Sequence, residues 1–395
     1  MKKTISIIGS GPSSLLLAAF LDVKKFDITI YEKNKTAGRK LLVAGKGGFN
    51  LTHSEPITEF IKRYTPSDFL ENSILNFTND DFRNWLHIIG VPTFIGSSKR
   101  VYPKEGIKPI TVLNTILNHI KEKGIIFKYE HTFSGWDTQN NLIINDKTIT
   151  SNYTVFSLGG ASWKVTSSDG SWLEKFQKKE VKTIPFQASN CAFKVDWKSD
   201  FINQNEGNPL KNIAIYCSEK KQKGEAVITK FGLEGNAIYG LSPQIREQLK
   251  SQEKAIIYID FKPTLTLENL TTKILNSTFK NTTQVLKKEL KLSNSQIDLL
   301  KTHLTKEAYL DSKLLSENIK KFPLEIIDLG VLDEAISTVG GIDLNAVDSN
   351  FQLDKIKNQY CIGEMLNWDA PTGGYLIQAC ASSGVYLANH LNKIK

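Results

Sequence analysis

Cysteine is scarce in this 395-residue sequence, and the four cysteines stand far apart, at Cys191, Cys217, Cys361 and Cys380. No Cys-x-x-Cys pair occurs, which argues against a disulfide-stapled scaffold, a thioredoxin-like redox pair and a structural zinc site. The six histidines show no metal-ligand spacing either. We therefore predict no metal site.

Long apolar runs are missing as well. The longest run, residues 15–21, is far too short to span a membrane. The first residues resemble the start of a signal peptide, but a turn rich in glycine and serine interrupts the apolar stretch, and no small-residue cleavage site follows. We therefore expect a cytoplasmic protein with no membrane partner. The sequence also lacks a Gly-x-Ser-x-Gly motif, so nothing in it supports a hydrolase triad.

Negative charge is outnumbered by positive charge. The sequence has 50 Lys and Arg against 41 Asp and Glu, a formal net charge of +9 with a pI of about 9.1. Its 40% hydrophobic content is typical of a folded protein, and its length predicts two or three domains. Residues 189–339 hold 21 basic and 19 acidic residues, so they carry only +2 of the excess and the flanking segments carry +7. An excess of this sign indicates an anionic partner such as RNA.

The N-terminal segment has the pattern of a βαβ unit. Residues 5–8 and 28–31 are typical of buried strands, and residues 15–21 are typical of a helix. The turn before the helix consists of Gly9, Ser10, Gly11, Pro12, Ser13 and Ser14. It follows the Gly-x-Gly-x-x-Gly/Ala pattern of dinucleotide-binding folds, with a serine at the third small position. Glu32, followed by Lys33, stands near the distance of roughly 20 residues expected for an acid that binds a ribose hydroxyl.

Further blocks along the chain resemble one family. They are residues 38–52 (GRKLLVAGKGGFNLT), 100–103 (RVYP), 158–163 (LGGASW), 229–235 (TKFGLEG) and 363–375 (GEMLNWDAPTGGY). In this order they resemble the BaiN/RdsA-like family of NAD(P)/FAD-dependent oxidoreductases. The sequence departs from the family pattern at Gly48, Phe49, His53 and Leu158. These departures indicate a divergent flavoprotein subgroup.

The resemblance implies an α/β fold with a discontinuous Rossmann-like FAD-binding domain of the glutathione-reductase type, an inserted β-rich domain and a helical subdomain. We expect the FAD-binding domain to comprise residues 1–188 and 340–395. The inserted β-rich domain is expected over residues 189–262 and 323–339, and the helical subdomain over residues 263–322.

Local signals predict several helix boundaries. Thr78-x-x-Asp81 and Ser293-x-x-Gln296 have the spacing of capping boxes. Pro109 is expected to open a helix that ends before a glycine, and a C-terminal helix is expected over residues 376–391. The N-terminus of that last helix would stabilise negative charge on a reduced flavin.

The resemblance implies FAD as the bound cofactor. Cations after the second strand can meet phosphates, and glycines let the backbone approach a ring system. The predicted cofactor-binding residues are Gly9, Ser10, Gly11, Pro12, Ser13, Ser14, Glu32, Lys33, Arg39, Lys40, Ala44, Gly45, Gly159, Gly363, Glu364, Gly373, Gly374 and Tyr375. No second complete fingerprint occurs, so NAD(P)H is expected as a donor that docks transiently.

The reaction expected from the resemblance is NAD(P)H-driven reduction of an activated C=C bond. Family members suggest two acceptors, uridine in ribosomal RNA and a small hydrophobic unsaturated molecule, and the net charge favours RNA. A flavin-containing RNA-binding factor without turnover is a third hypothesis. Candidate proton donors are Lys46, His53 and Tyr375, each of which is also expected as a cofactor-lining or packing residue.

Overall fold

The structure, a computed structural model, describes residues 2–43 and 48–394. Its strands are β1 Lys3–Ile8, β2 Phe26–Glu32, β3 Thr52–His53, β4 Thr93–Ile95, β5 Arg100–Pro103, β6 Ile126–Tyr129, β7 Phe133–Trp136, β8 Leu142–Ile144, β9 Lys147–Ile149, β10 Tyr153–Phe156, β11 Thr183–Ser189, β12 Phe193–Lys194, β13 Pro209–Cys217, β14 Lys220–Ile228, β15 Gly232–Glu234, β16 Ala255–Asp260, β17 Phe322–Ile326, β18 Asp328–Leu329, β19 Ser337–Ile342 and β20 Gln359–Cys361. Its α-helices are α1 Pro12–Phe20, α2 Arg39–Val43, α3 Ile57–Ile61, α4 Ser67–Asn76, α5 Asn79–Ile88, α6 Pro109–Glu122, α7 Leu173–Gln177, α8 Ser199–Asn205, α9 Asn236–Tyr239, α10 Ser242–Gln252, α11 Leu267–Leu275, α12 Thr282–Gln284, α13 Asn294–His303, α14 Lys306–Leu310, α15 Ser312–Lys320 and α16 Tyr375–Leu391.

The chain divides into two compact units. The first comprises residues 1–188 and 332–395, and the second comprises residues 189–331. Residues 332–339, which the sequence analysis assigned to the insert, fall in the first unit, because β19 pairs there with β11. Within these bounds the second unit has 21 basic and 17 acidic residues, a net charge of +4. The excess of +9 is therefore shared almost equally between the two units.

A five-stranded parallel sheet forms the centre of the first unit, in the order β20-β10-β1-β2-β6. Its central strand is the apolar run predicted as the first strand, and Ile5, Ile7 and Ile8 are fully buried in it. Helices α1 and α16 pack against each other so closely that a Cβ on Gly384 would overlap the carbonyl of Ser13. The strand order reverses at β1, and such a reversal leaves a crevice at the carboxyl ends of the strands.

Three smaller sheets complete the first unit. They have the orders β3-β5-β4, β7-β8-β9 and β11-β19. The capping box predicted at Thr78 and Asp81 is confirmed at the start of α5, and α6 begins at Pro109 as predicted.

The second unit contains a seven-stranded sheet in the order β17-β16-β13-β14-β15-β12-β18, in which all the registered pairs are antiparallel. The helices predicted after residue 263 are present as α11 to α15, and Ser293 and Gln296 form the predicted capping box of α13. Residues 189–262, where a β-rich domain is expected, also contain helices. The 11-residue helix α10 lies there, because it buries Ile245 while its polar residues obscure the helical period.

No helix among residues 2–43 and 48–394 is long and apolar enough to cross a membrane. Within the same residues, no group of three or more histidine, cysteine, aspartate or glutamate side chains is arranged to hold a metal ion.

Candidate functional site

A cleft opens in the first unit at the carboxyl ends of β1, β2 and β10. It encloses about 1110 Å³, including space that is open to solvent. The cleft brings together many of the residues that the sequence analysis singled out: Gly9, Ser10, Gly11, Pro12, Ser13, Glu32, Lys33, Arg39, Lys40, Gly159 and Glu364. Ser14 is fully buried in α1 and does not line the cleft.

The two glycines of the turn meet different constraints. Gly9 has φ +99°, and a Cβ there would overlap the carbonyl oxygen of Ser157 at the end of the neighbouring strand. Gly11 has φ −79°, which any residue adopts, and a Cβ there would meet no heavy atom within 4 Å. Gly9 is therefore required by the fold, whereas Gly11 leaves open a cradle at the N-terminus of α1. A helix N-terminus of this kind favours a phosphate group.

Glu32 lies beside this cradle at the end of β2 and is only 8% exposed. One carboxylate oxygen accepts hydrogen bonds from the backbone N–H of Asn34 at 2.8 Å and from its amide nitrogen at 2.6 Å. The other accepts a hydrogen bond from the hydroxyl of Ser10. The carboxylate is thus held in one orientation at the edge of the cleft, where it can accept a hydrogen bond from a sugar hydroxyl.

Two of the predicted phosphate-binding cations have carboxylate partners. The ammonium of Lys33 lies 3.2 Å from Asp169. Lys40 lies between the two carboxylate oxygens of Glu364, at 3.2 and 3.1 Å, so two predicted cofactor residues from opposite ends of the chain bind each other. The charge that each lysine offers a ligand is therefore largely balanced.

Among the described residues, Arg39 hydrogen-bonds to neutral groups. Its guanidinium donates to the side-chain oxygen of Asn34 at 2.9 Å and to the carbonyl of Val165 at 3.0 Å. Lys175, which the sequence analysis did not single out, also lines the cleft and donates to the carbonyl of Ser171 at 3.4 Å. Neither side chain forms an ion pair within the described part of the chain, so their positive charges remain available to an anion.

Of the block at residues 363–375, Glu364 lines the cleft but Gly363 does not. A Cβ on Gly363 would overlap the hydroxyl of Ser13, so the chain passes directly beside the start of α1. Gly373, Gly374 and Tyr375 do not line the cleft.

Tyr375 instead belongs to a second polar cluster. It is 5% exposed, and its hydroxyl donates to Glu55 at 2.5 Å. The ring of His53 stacks on the ring of Tyr375 at 5.2 Å between centroids with an interplanar angle of 23°. A Cβ on Gly374 would overlap the backbone of Thr52, so that glycine allows α16 to start against β3. Two of the proposed proton donors therefore lie together, outside the cleft lining.

Burial and ion pairing set the protonation states in this cluster. Burial raises the pKa of Glu55, but hydrogen bonds from Arg63, at 3.0 and 2.8 Å, and from Tyr375 outweigh it and hold that pKa below its usual value. Burial, together with the bond to Glu55, raises the pKa of Tyr375 far above its ordinary value. Burial lowers the pKa of His53, so its imidazole is neutral at pH 7. The tyrosine hydroxyl is thus a proton-bearing donor committed to a carboxylate.

The remaining predictions fall elsewhere. Ala44, Gly45 and Lys46 lie outside the described residues. The sequence analysis did not find Glu55, Arg63 or Lys175, since no motif marks them. The sequence signal that could have pointed to this cluster is spacing, because Glu55 stands two residues after the candidate His53 and eight residues before Arg63.

Comparison with known proteins identifies the family of this sequence. The sequence matches the family described as HI0933-like protein Rossmann domain over residues 3–390. The chain belongs to this family. It is the BaiN/RdsA-like flavoprotein group of FAD-dependent oxidoreductases, so the resemblance inferred from the motifs and the Rossmann-type α/β fold are both confirmed.

The individual relatives have low sequence identity to this chain. Ribosomal RNA dihydrouridine synthase of Haemophilus influenzae is 22% identical over 400 residues, with 98% of each chain covered. The 3-ketosteroid-Δ4-(5α)-dehydrogenase of Rhodococcus jostii, solved with 4-androstene-3,17-dione, has a TM-score of 0.48 at 12% identity and covers 100% of this chain and 97% of its own. The 3-ketosteroid Δ1-dehydrogenase of Sterolibacterium denitrificans has a TM-score of 0.46 at 12% identity, with both chains covered completely.

Proposed function

We propose that this protein binds FAD in the cleft of its first unit. The observation that carries the proposal is the open cradle at Gly11, bounded by the N-terminus of α1 on one side and by the oriented carboxylate of Glu32 on the other. The helix N-terminus would hold the pyrophosphate, and Glu32 would accept from a ribose hydroxyl. Arg39 and Lys175 would supply positive charge to the phosphates, since neither is ion-paired in the described chain.

When bound, FAD supplies two-electron redox chemistry that protein side chains cannot perform alone. We propose that the chain uses it to reduce an activated C=C bond with NAD(P)H as the donor. The reaction balances as the C=C compound, NAD(P)H and a proton giving the saturated compound and NAD(P)⁺. The proton must come from an acid near the acceptor. Tyr375 does not fit that role in this structure because its hydroxyl proton is donated to Glu55.

We propose uridine in ribosomal RNA as the acceptor. The Haemophilus influenzae relative, a ribosomal RNA dihydrouridine synthase that is 22% identical to this chain, supports this assignment. The net charge of +9, shared by both units, also supports a polyanionic substrate. A small hydrophobic unsaturated acceptor is the alternative that a test must separate.

The first test is the absorption spectrum of the purified protein, before and after addition of NADPH without oxygen. We expect a flavin band near about 450 nm that NADPH bleaches. A protein that neither purifies with flavin nor binds added FAD would refute the cofactor assignment. A flavin that NADPH and NADH leave unbleached would refute the donor and favour a binding factor without turnover.

The second test concerns the acceptor. Ribosomal RNA from a strain that lacks the gene is expected to lose dihydrouridine, and the purified enzyme with NADPH is expected to restore it. Unchanged dihydrouridine in the deletion strain, combined with flavin reoxidation by small enones, would overturn the RNA assignment in favour of the small-molecule alternative.

A further inference from the structure

A second cavity lies within the second unit, separate from the cleft described above. It has a volume of about 800 Å³, including space that is open to solvent, and is bordered by the start of β13, the segment after β16 and the start of α13. Lys291, which lies in the segment before α13, also lines the cavity, and its carbonyl accepts a hydrogen bond from Lys262. The cavity has no role in the proposed binding of FAD, whose cleft is lined only by residues of the first unit.

Three lysines line this cavity, and no carboxylate lines it. Lys211, Lys262 and Lys291 form no ion pair among the described residues. Asp260, which lies two residues before Lys262, already has partners for both carboxylate oxygens. One accepts a hydrogen bond from the backbone N–H of Lys262, and the other binds Lys320 at 2.6 Å. The three lysines of the lining therefore carry positive charges that no acidic side chain balances within the described residues.

Lys262 is half-buried and bonds to the backbone of a second lysine of the lining. Its ammonium donates to the carbonyl of Lys291 at 3.3 Å, so two of the three lysines share one side of the cavity. Burial lowers the pKa of Lys262, and the positive charge of Lys291 lowers it further. Like charges placed together in this way raise the free energy of the free protein, and an anion between them would remove that repulsion.

Neutral donors complete the lining. Helix α13 has ten residues, and its N-terminus faces the cavity through Asn294 and Ser295. The capping box satisfies the N–H of Ser293 and Gln296. The N–H groups of Asn294 and Ser295 have no protein acceptor in the described chain. The helix dipole adds further positive potential at this point.

From this arrangement we infer that the cavity binds a phosphate group, and that the phosphate belongs to the backbone of an RNA. Several ammonium groups around a helix N-terminus suit a tetrahedral anion, whereas a planar carboxylate is usually recognised by the fork of an arginine, and none lines the cavity. Lys211 and Lys291 are exposed, so the rest of a large ligand can extend into solvent. The RNA part of this inference rests on the proposed function, and the phosphate part does not.

The test measures how salt changes the affinity of full-length protein for a ribosomal RNA transcript. A triple variant, K211Q/K262Q/K291Q, is compared with the wild type and with K273Q/K306Q/K313Q, which removes three exposed lysines of the same unit that form no ion pair in the described chain. Log K falls as log salt rises, and the loss of one phosphate contact makes this slope shallower by about 0.7–0.9. We expect that change in the cavity variant only, with flavin content and the urea midpoint as in the wild type.

A parallel titration with inorganic phosphate, followed by calorimetry, separates the two parts of the inference. Loss of phosphate binding in the cavity variant, together with the lower salt slope, supports both parts. A wild-type slope in the cavity variant, while the wild-type protein binds RNA, overturns the RNA contact even if phosphate binding is lost. Absence of RNA binding by the wild type counts against the proposed substrate instead, and unaltered phosphate binding in the cavity variant overturns the site itself.

Discussion

Replacing Gly11 by alanine tests the cofactor site without disturbing the fold. The backbone at Gly11 has φ −79°, which suits alanine, and the added Cβ would meet no protein atom within 4 Å. The free energy of unfolding of the apoprotein is therefore expected to change by less than about 1 kcal/mol, because the restriction that alanine places on the unfolded chain is offset by its poorer fit to the N-cap position that Gly11 holds. The methyl group would instead occupy the cradle where the pyrophosphate of FAD is proposed to lie.

The expected loss is specific to FAD. Forcing a methyl group into a filled contact costs about 1–3 kcal/mol, which corresponds to a dissociation constant about 5- to 160-fold higher. Gly9→Ala is the matched control because it has the opposite signature. Its φ of +99° and the overlap with the Ser157 carbonyl together cost the apoprotein about 2–6 kcal/mol, a large part of a typical total of about 5–15 kcal/mol.

Both variants are measured by urea unfolding of the apoprotein and by titration of FAD, followed through the quenching of flavin fluorescence. We expect Gly11→Ala to unfold at the wild-type urea concentration and to bind FAD weakly, and Gly9→Ala to unfold early. If Gly11→Ala binds FAD as tightly as the wild type does, the pyrophosphate does not lie in this cradle and the reasoning from the open space at Gly11 is refuted.

Three further changes follow from the site. Arg39→Gln is expected to weaken FAD binding about two- to fivefold, whereas Lys33→Gln, whose partner is Asp169, should change it less; equal effects in the FAD titration would contradict this difference. The pKa of Glu55 is lowered in the folded state, so its contribution to stability is present above about pH 4.3 and is lost as pH falls through the folded value; urea unfolding from pH 7 to pH 3 should show a shallower acid loss in Glu55→Gln. In an NMR titration, burial should place the midpoint of His53 below 6.5, and Glu55→Gln should lower it further by removing a nearby negative charge; a wild-type midpoint above 6.5 would show that burial does not dominate, and a rise in the variant would show that Glu55 does not favour the charged imidazole.

Local sequence signals predicted the parts of the fold that depend on neighbouring residues. The turn at Gly9, the capping box at Thr78 and the capping box at Ser293 each involve residues within a few positions of one another, so residue type and spacing suffice to find them. Helix α10 escaped prediction because its Lys, Gln, Glu and Arg residues leave few apolar positions from which to read a period. Its packing on the sheet, through Ile245, is a property of the tertiary structure.

The site was harder to predict because its pairings join distant parts of the chain. Tyr375 and Glu55 are 320 residues apart, and Lys40 and Glu364 are 324 apart. Motif reasoning nominated Tyr375, Lys40 and Glu364 but not Glu55, and it cannot say that a nominated cation will meet a carboxylate instead of the ligand.

The difference between paired and unpaired cations changes which residues should recognise the cofactor. Of the three predicted cofactor-binding cations that follow β2, Lys33 and Lys40 are balanced by carboxylates, and only the guanidinium of Arg39 is bonded to neutral oxygens. Lys175, in helix α7, adds a further cation to the cleft beside Arg39, and no motif marks that helix. A lysine already paired with a carboxylate must give up that partner to bind a phosphate, and the exchange gains little free energy in either direction. The electrostatic part of FAD affinity should therefore reside mainly in Arg39, Lys175 and the N-terminus of α1.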